Sequence, residues 1–174
     1  MSSYIALAVS VGVLAVVATW IFFLDPVAAA NLQVWQAFIA WGCHYHCGGK
    51  FTGTRNTILC MSFGSVVGMT AGFLAGGAFG PLGDFAAPVA VGLGATVIVL
   101  ASKLPLLATI PASVYGFASV AGLFLLGQGM TPTSALVPTI LSIIIGAAFG
   151  YVSEAVAGAL TKKSPALPKN VPAH

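Results

Sequence analysis

The sequence predicts an all-α fold, a polytopic membrane helix bundle with about six transmembrane helices. Of the 174 residues, 59% are hydrophobic and only 5% are charged, whereas a soluble domain carries about 25% charged residues. The apolar residues fall into long runs, most of them close to the roughly 20 residues that a helix needs to cross a bilayer. A net charge of only +3 also excludes the clustered basic surface of a nucleic-acid-binding protein.

The predicted spans end at charged residues, glycine or proline, which are common at the ends of membrane helices. The fifth span contains Pro111, so it is either a full crossing or a re-entrant half-helix. The spans and the polar tail divide the chain into a transmembrane domain, 1–161, and a disordered cytoplasmic tail, 162–174. The six spans cover residues 4–24, 31–47, 57–79, 85–102, 106–126 and 135–160.

The lysine and arginine residues predict the orientation, because basic residues accumulate in the short loops on the cytoplasmic side. With six crossings and a cytoplasmic N-terminus, all six basic residues lie on one side, and Asp25 and Asp84 lie on the other. We therefore expect a multi-pass protein of a bacterial inner membrane with both termini in the cytoplasm. The basic residues are Lys50, Arg55, Lys103, Lys162, Lys163 and Lys169.

Two of the predicted spans carry small residues at intervals of four or eight positions. Such spacing lets two helix backbones approach closely. The close packing occurs either within one chain or between copies of it, and we expect a homo-oligomer. The small residues are Gly64, Gly68, Gly72, Gly76 and Gly80 in the third span, and Ser142, Gly146, Gly150 and Gly158 in the sixth.

The same two spans share a short echo, GGAFG at 76–80 and GAAFG at 146–150. If it marks a repeat, each half of the chain contains three helices. An odd number of crossings places the second half upside down relative to the first, as in many transporters. The echo therefore predicts two inverted three-helix halves.

The stretch WQAFIAWGCHYHCGG at 35–49 concentrates the side chains that are able to do chemistry. Polar side chains within a membrane tend to face the bundle interior or a water-filled cavity. We therefore expect Trp35, Gln36, Trp41 and His44 to line a pore, and for Trp35 and Trp41 the alternative is core packing or a lipid-facing belt. Glu154 lies on the small-residue face of the sixth span, where it forms either a gate or a structural ion pair near the helix end.

Soft sulfur and imidazole ligands within 43–47 suit copper or zinc. Cys43 and Cys47 share a helix face, but His44 and His46 point about 200° apart on one helix. Cys43, His44, His46 and Cys47 are therefore weak metal candidates, and we predict neither a metal site nor a cofactor. The alternative functions of these residues are polar contacts at a helix end or a pore lining.

The stretch LPLLATIPASVY at 104–115 supplies two further pore candidates, Thr109 and Tyr115. Pro111 lacks an N–H and would leave the carbonyl of Leu107 without its helical partner. A free carbonyl beside a threonine hydroxyl would form a selectivity element for a solute that donates hydrogen bonds. The alternative is a locally repaired proline kink.

Several runs resemble the YcdZ-like bacterial inner-membrane proteins, a family of small multi-pass proteins without an assigned function. They are W-x-x-F…G-C-x-Y…C…G-G at 35–49, K-L-P-L-L with I-P-A-S-V-Y-G-F-A-S-V-A-G at 103–122, and L-V-P…G-A-A-F-G-Y at 136–151. Separately, L-P…T-x-P at 104–111 resembles the L-P-x-x-T-x-P-F signature of urea transporters, with one extra residue and Ala112 in place of phenylalanine.

These features together predict a channel or facilitator for a small neutral solute such as urea, an amide or ammonia. No charged residue lies near a predicted midplane, which disfavours an ion pump or a proton-coupled carrier. The sequence shows no pattern of catalytic residues and no nucleotide-binding motif, so we expect no enzyme activity. Two alternatives are a transition-metal transporter or sensor using 43–47 and an accessory subunit of a larger membrane complex.

Overall fold

The structure, a computed structural model, describes residues 1–126 and 129–161. Those residues form helices joined by turns, and the prediction of an all-α bundle is confirmed. The predicted tail, 162–174, lies outside the described residues. The α-helices are α1 (Ser3–Phe22), α2 (Asp25–Ala29), α3 (Val34–His46), α4 (Lys50–Gly76), α5 (Ala86–Ala101), α6 (Ile110–Leu125) and α7 (Pro132–Leu160), and Gly80–Phe85 and Pro105–Leu107 form short 3-10 helices.

The helices differ in length, and each predicted span overlaps one of the six longer α-helices. Four stretches are long and apolar enough to cross a membrane: α1, α4, Gly80–Ala101 and α7. The α6 helix is apolar but has 16 residues, and α3 has 13. At 1.5 Å per residue these two helices are about 24 and 20 Å long, which is shorter than the roughly 30 Å of bilayer hydrocarbon.

Two long helices begin earlier than predicted, because their first turns are capped. The α4 helix begins at Lys50 rather than at Thr57, and its first N–H donates to the carboxylate of Glu154. The α7 helix begins at Pro132, where Thr131 and Ser134 form a capping box. Both devices satisfy backbone N–H groups that have no partner within the helix.

The fifth predicted span is interrupted just before Pro111 rather than at it. The α6 helix begins at Ile110, and Pro111 lies in its first turn, where a missing N–H removes no helical hydrogen bond. The fifth predicted span therefore consists of a short 3-10 helix, Pro105–Leu107, followed by α6. The proline inside a long helix is Pro138, in α7.

The helix packing repeats itself within the chain. The α4 helix packs against α5 and α6, α7 packs in the same way against α1 and α3, and α4 and α7 pack against each other. This pattern relates a first half (α1, α3, α4) to a second half (α5, α6, α7).

The equivalent helices α3 and α6 run in opposite directions, because Gln36 contacts Ser119 whereas His46 contacts Tyr115. The two halves are therefore inverted, in agreement with the predicted architecture. The N-terminal nitrogen of Met1 lies 3.5 Å from the carbonyl oxygen of Leu160. The start of the chain and the end of α7 therefore lie on the same side of the bundle.

Close backbone contacts set the register of the repeat. A Cβ atom at Gly64 would overlap the carbonyl oxygen of Ser113 in α6, and one at Gly146 would overlap that of Ala37 in α3. With Gly64 equivalent to Gly146, the pattern T-I-L-x₄-G-x₃-G occurs at 57–68 and again at 139–150. The predicted echo, GGAFG with GAAFG, is wrong as an equivalence, because 76–80 lies at and beyond the end of α4 whereas 146–150 lies inside α7.

Candidate functional site

Uncharged polar side chains are buried where α3, α4, α6 and α7 pack together. Each is at most 1% exposed, so none of them contacts solvent or lipid. We call this set the polar strip. Its members are Gln36, Thr57, Ser113, Ser119 and Thr139.

Gln36 connects three helices through its side-chain amide. Its Nε2 atom donates to the carbonyl oxygen of Ser119 over 2.8 Å and to the hydroxyl of Thr139 over 3.0 Å. The amide therefore faces the bundle interior, with α6 and α7 as its partners.

Four oxygen atoms of the strip have no hydrogen-bond partner among the described residues. They belong to Gln36 (Oε1), Thr57, Ser113 and Ser119. Nearly all buried polar atoms in native proteins are paired with protein or ordered water, and a buried polar atom left unpaired costs about 1–3 kcal/mol. The strip therefore has unused hydrogen-bonding capacity that water or a small polar solute would satisfy.

Free thiols lie beside the Thr57 end of the strip. The sulfur atoms of Cys43 and Cys47 are 3.8 Å apart, and the Thr57 hydroxyl lies beside both. Thr109 lies beside Cys47 and Cys60. The structure thus brings the predicted pore residue Thr109 to the same region as the thiols.

His44 and His46, the two histidines within 43–47, contact different neighbours. The Nδ1 atom of His46 lies 3.2 Å from the hydroxyl of Tyr115, whereas His44 contacts Glu154 and Thr54. Within residues 1–126 and 129–161, no three His, Cys, Asp or Glu side chains are placed to share a metal ion.

His44 and Glu154 join the end of α3 to the end of α7 and the start of α4. The His44 ring is fully buried, with Nε2 at 3.1 Å from Glu154 Oε2 and Nδ1 at 3.1 Å from the Thr54 hydroxyl. The same Glu154 oxygen accepts from the backbone N–H of Lys50. We call these four groups the latch: the side chains of His44, Thr54 and Glu154, and the Lys50 N–H.

Glycine lets the α3–α4 loop close against this carboxylate. Gly49 has a φ of +68°, and a Cβ atom there would lie 2.8 Å from Glu154 Oε2. A side chain at this position would therefore be strained by the backbone angle and would collide with the carboxylate. The run C-G-G-K at 47–50 thus shapes the latch as well as ending α3.

The two predicted pore tryptophans pack outside the polar strip. The Trp41 ring stacks on Phe38 and Phe149, and its Nε1 donates to the Ser153 hydroxyl over 2.9 Å. The Trp35 ring packs against Gly122 of α6.

Of the six predicted pore residues, the structure places Gln36 in the strip, Thr109 beside its thiols, and Tyr115 against His46. Trp41 and His44 face α7, and Trp35 faces α6. Four residues of the strip were not predicted from the sequence: Thr57, Ser113, Ser119 and Thr139. The available signal was the spacing of isolated hydroxyls in apolar helices, including the threonine of the repeated T-I-L triplet.

Two inverted halves of apolar helices around a buried, uncharged strip define a polytopic helix bundle that fits a membrane protein. The chain belongs to the family described as "Protein of unknown function (DUF1097)", which it matches over residues 8–158. No curated protein and no solved structure matches the chain. The match confirms a family without assigned function, whereas the YcdZ-like name and the urea-transporter similarity stay predictions.

Proposed function

We propose that this protein is a channel or facilitator for a small neutral solute of the urea, amide or ammonia type. One observation carries the proposal: four buried oxygen atoms of the polar strip have no partner among the described residues. A carbonyl oxygen at Gln36 accepts hydrogen bonds, and hydroxyls at three positions both donate and accept. A solute with N–H donors and an oxygen acceptor would match these groups.

The absence of charge in the strip favours a neutral solute. Its five members carry amide or hydroxyl groups, and an ion in such surroundings would lose its hydration without gaining a counter-charge. Glu154 and Lys50 lie in the latch, at one end of the bundle. The proposed solute therefore passes uncharged side chains and thiols.

The positions of the two short helices also support transport. The α3 and α6 helices are the equivalent members of the two inverted halves, and Gln36 of α3 bonds to Ser119 of α6. In inverted-repeat transporters, unusually short segments at corresponding positions indicate the binding site. The same pair of helices carries Gln36, Ser113 and Ser119.

The strip is closed in this structure, since each of its side chains is at most 1% exposed. Passage of a solute therefore requires that the helices around it separate. A facilitator that alternates between open and closed conformations is therefore favoured, and a permanently open pore is disfavoured.

The proposal includes the predicted setting of the protein. We propose a homo-oligomer in a bacterial inner membrane, with both termini cytoplasmic and with a role in transport rather than in catalysis. The contact between Met1 and Leu160 is consistent with termini on one side. Lys50 and Glu154 lie together at the ends of α4 and α7, and that end would face the cytoplasm under the positive-inside rule.

Solute uptake into proteoliposomes, followed by stopped-flow light scattering, tests the proposal. Urea, acetamide, glycerol, ammonia and water would be compared with the same lipids without protein. We expect urea or acetamide to enter faster in the presence of protein. Permeability equal to that of empty liposomes for every solute would contradict the proposal.

Two variants locate the path without removing a structural hydrogen bond. Ser119→Ala deletes a hydroxyl that has no partner in the described structure, and Thr57→Val deletes one whose polar neighbours are the weakly bonding thiols of Cys43 and Cys47, so the fold should survive. We expect either change to reduce the uptake that the wild type shows. Gly158→Ala is the matched control, because no atom lies within 4 Å of the added Cβ.

A further inference from the structure

All three cysteines of the chain lie in one cluster. Cys43 and Cys47 belong to the end of α3, Cys60 belongs to α4, and they pack together with the buried side chain of Met61. The three cysteines are free thiols. Four sulfur-containing side chains are therefore concentrated where α3 packs against α4.

The equivalent region of the second half is built without sulfur. The close contacts of Gly64 with Ser113 and of Gly146 with Ala37 make Ala37 equivalent to Ser113. Counted from these two pairs, the equivalents of the four sulfur residues in chain order are Ser119, Leu123, Ser142 and Ile143. The same helix packing thus forms with other side chains, so packing alone does not account for the thiols.

The thiols of Cys43 and Cys47 are spaced as two ligands of one metal ion. Their sulfur atoms are 3.8 Å apart, because residues four positions apart share a helix face. A metal ion about 2.3 Å from each of two sulfur atoms holds them roughly 3.8 Å apart at a tetrahedral angle and about 4.6 Å apart in a line. Cys47 is the half-buried C-cap residue of α3, so rotation of its side chain can supply the larger separation.

The ligand set selects monovalent copper. A structural zinc ion takes four ligands, whereas no three His, Cys, Asp or Glu side chains of residues 1–126 and 129–161 converge on one point. His44 and His46 contact Glu154 and Tyr115 instead of joining the thiols. Thiolate sulfur is a soft ligand that suits Cu(I), which is stable with only two such ligands.

We propose that Cys43 and Cys47 form a binding site for one Cu(I) ion. On binding, the two S–H groups release their protons to water, two sulfur–copper bonds form, and copper remains Cu(I), so no oxidant or reductant takes part. The buried Thr57 hydroxyl lies beside both sulfur atoms and has no stronger partner. It can donate a hydrogen bond to a thiolate and so stabilise the negative charge of the complex. The site does not depend on the proposed transport of a neutral solute.

Competition for Cu(I) with bathocuproine disulfonate, a chelator that is coloured when it holds Cu(I), tests the site. The full chain, without an affinity tag, is used in lipid nanodiscs under anaerobic conditions. We expect the wild type to bind about one Cu(I) per chain. Cys43→Ser and Cys47→Ser should each weaken binding by more than the roughly 10–100-fold that loss of an outer-shell partner costs.

Cys60→Ser is the matched control, because it changes a buried thiol of the same cluster that is not one of the two ligands. This variant should bind Cu(I) as the wild type does. Unchanged binding by Cys43→Ser or Cys47→Ser would overturn the proposal, and so would an equal loss in all three variants.

X-ray absorption at the copper K-edge tests the ligands in the unmutated protein, so the proposal stays testable where a serine variant does not fold. We expect two sulfur ligands and no nitrogen or oxygen ligand. Nitrogen or oxygen ligands, or a lack of copper uptake by the wild type, would contradict the site. Zn²⁺ should not be retained after dialysis, and one bound Zn²⁺ per chain would overturn the assignment to Cu(I).

Discussion

The side-chain amide of Gln36 donates a 2.8 Å hydrogen bond to the main-chain carbonyl of Ser119, and so joins the short helices of the two inverted halves. A second bond from the same nitrogen reaches Thr139. Three helices thus depend on one glutamine, while its own oxygen is unpaired. The amide stabilises the bundle through its nitrogen and leaves its oxygen available to a solute.

We predict that Gln36→Leu destabilises the bundle, because the carbonyl of Ser119 and the hydroxyl of Thr139 both lose their donor. The expected loss is about 1–3 kcal/mol in the free energy of unfolding. Unfolding in detergent, followed by tryptophan fluorescence, measures it. Thr70→Val is the control, because the exposed Thr70 hydroxyl bonds to the carbonyl of Val66 within its own helix. Equal stability of the Gln36 variant and the wild type would contradict the role given to this amide.

A second prediction separates glycines that lie in the same row of the sequence. A Cβ atom at Gly64 would overlap the Ser113 backbone, whereas one at Gly76 has no atom within 4 Å. We expect Gly64→Ala to cost about 1–3 kcal/mol through overpacking and Gly76→Ala to cost nothing. Thermal unfolding of the two variants in the same detergent provides the comparison. Similar melting temperatures would show that α4 and α6 do not approach as closely as described.

The glycine row of α4 shows which features of the fold the sequence could predict and which it could not. Hydropathy predicted every α-helix except the short α2, because long apolar runs have few alternatives in a bilayer. Spacing of four predicted close packing, and Gly64, Gly68 and Gly72 do meet α6. It could not predict that Gly76 faces open space, because that depends on where α6 ends.

The positions of the helix ends and the contacts between side chains of different helices were less predictable from the sequence. The start of α4 depends on the carboxylate of Glu154, which is 104 positions away in the chain. Within the candidate site, Gln36 was predictable because a lone amide in an apolar helix needs partners. Thr57 and Ser119 were harder to predict, even with the repeated T-I-L triplet as a signal for Thr57, because hydroxyls in helices often bond to their own backbone, as Thr70 does with Val66.

A third prediction concerns the Ser153 hydroxyl, which lies 2.9 Å from Trp41 Nε1 and 2.6 Å from the Tyr45 hydroxyl. Ser153→Ala leaves the buried indole N–H of Trp41 without an acceptor, at a cost of about 1–3 kcal/mol. We also expect the tryptophan emission spectrum to shift. The control is Ser102→Ala, whose hydroxyl bonds locally to Val99 at the end of α5. Equal losses in both variants would contradict the contact between α3 and α7.

A fourth prediction uses the two equivalent threonines of the repeated T-I-L triplets. Thr139 accepts from Gln36 over 3.0 Å, whereas the Thr57 hydroxyl has no partner in the described structure. Thr139→Val should cost about 0.5–1.5 kcal/mol, the net value of one hydrogen bond. Thr57→Val should be neutral or stabilising, because valine has nearly the same shape and leaves no buried hydroxyl unpaired.

The comparison of Thr57→Val with Thr139→Val also tests the proposed function. Stability of the two valine variants would be measured in detergent without solute, and uptake of urea or acetamide would be measured in proteoliposomes. Reduced uptake by Thr57→Val at unchanged stability would mean that its hydroxyl serves the solute rather than the fold. A loss of stability as large as that of Thr139→Val would instead mean that Thr57 has a structural partner, and the unpaired oxygens would no longer support a path for a neutral solute.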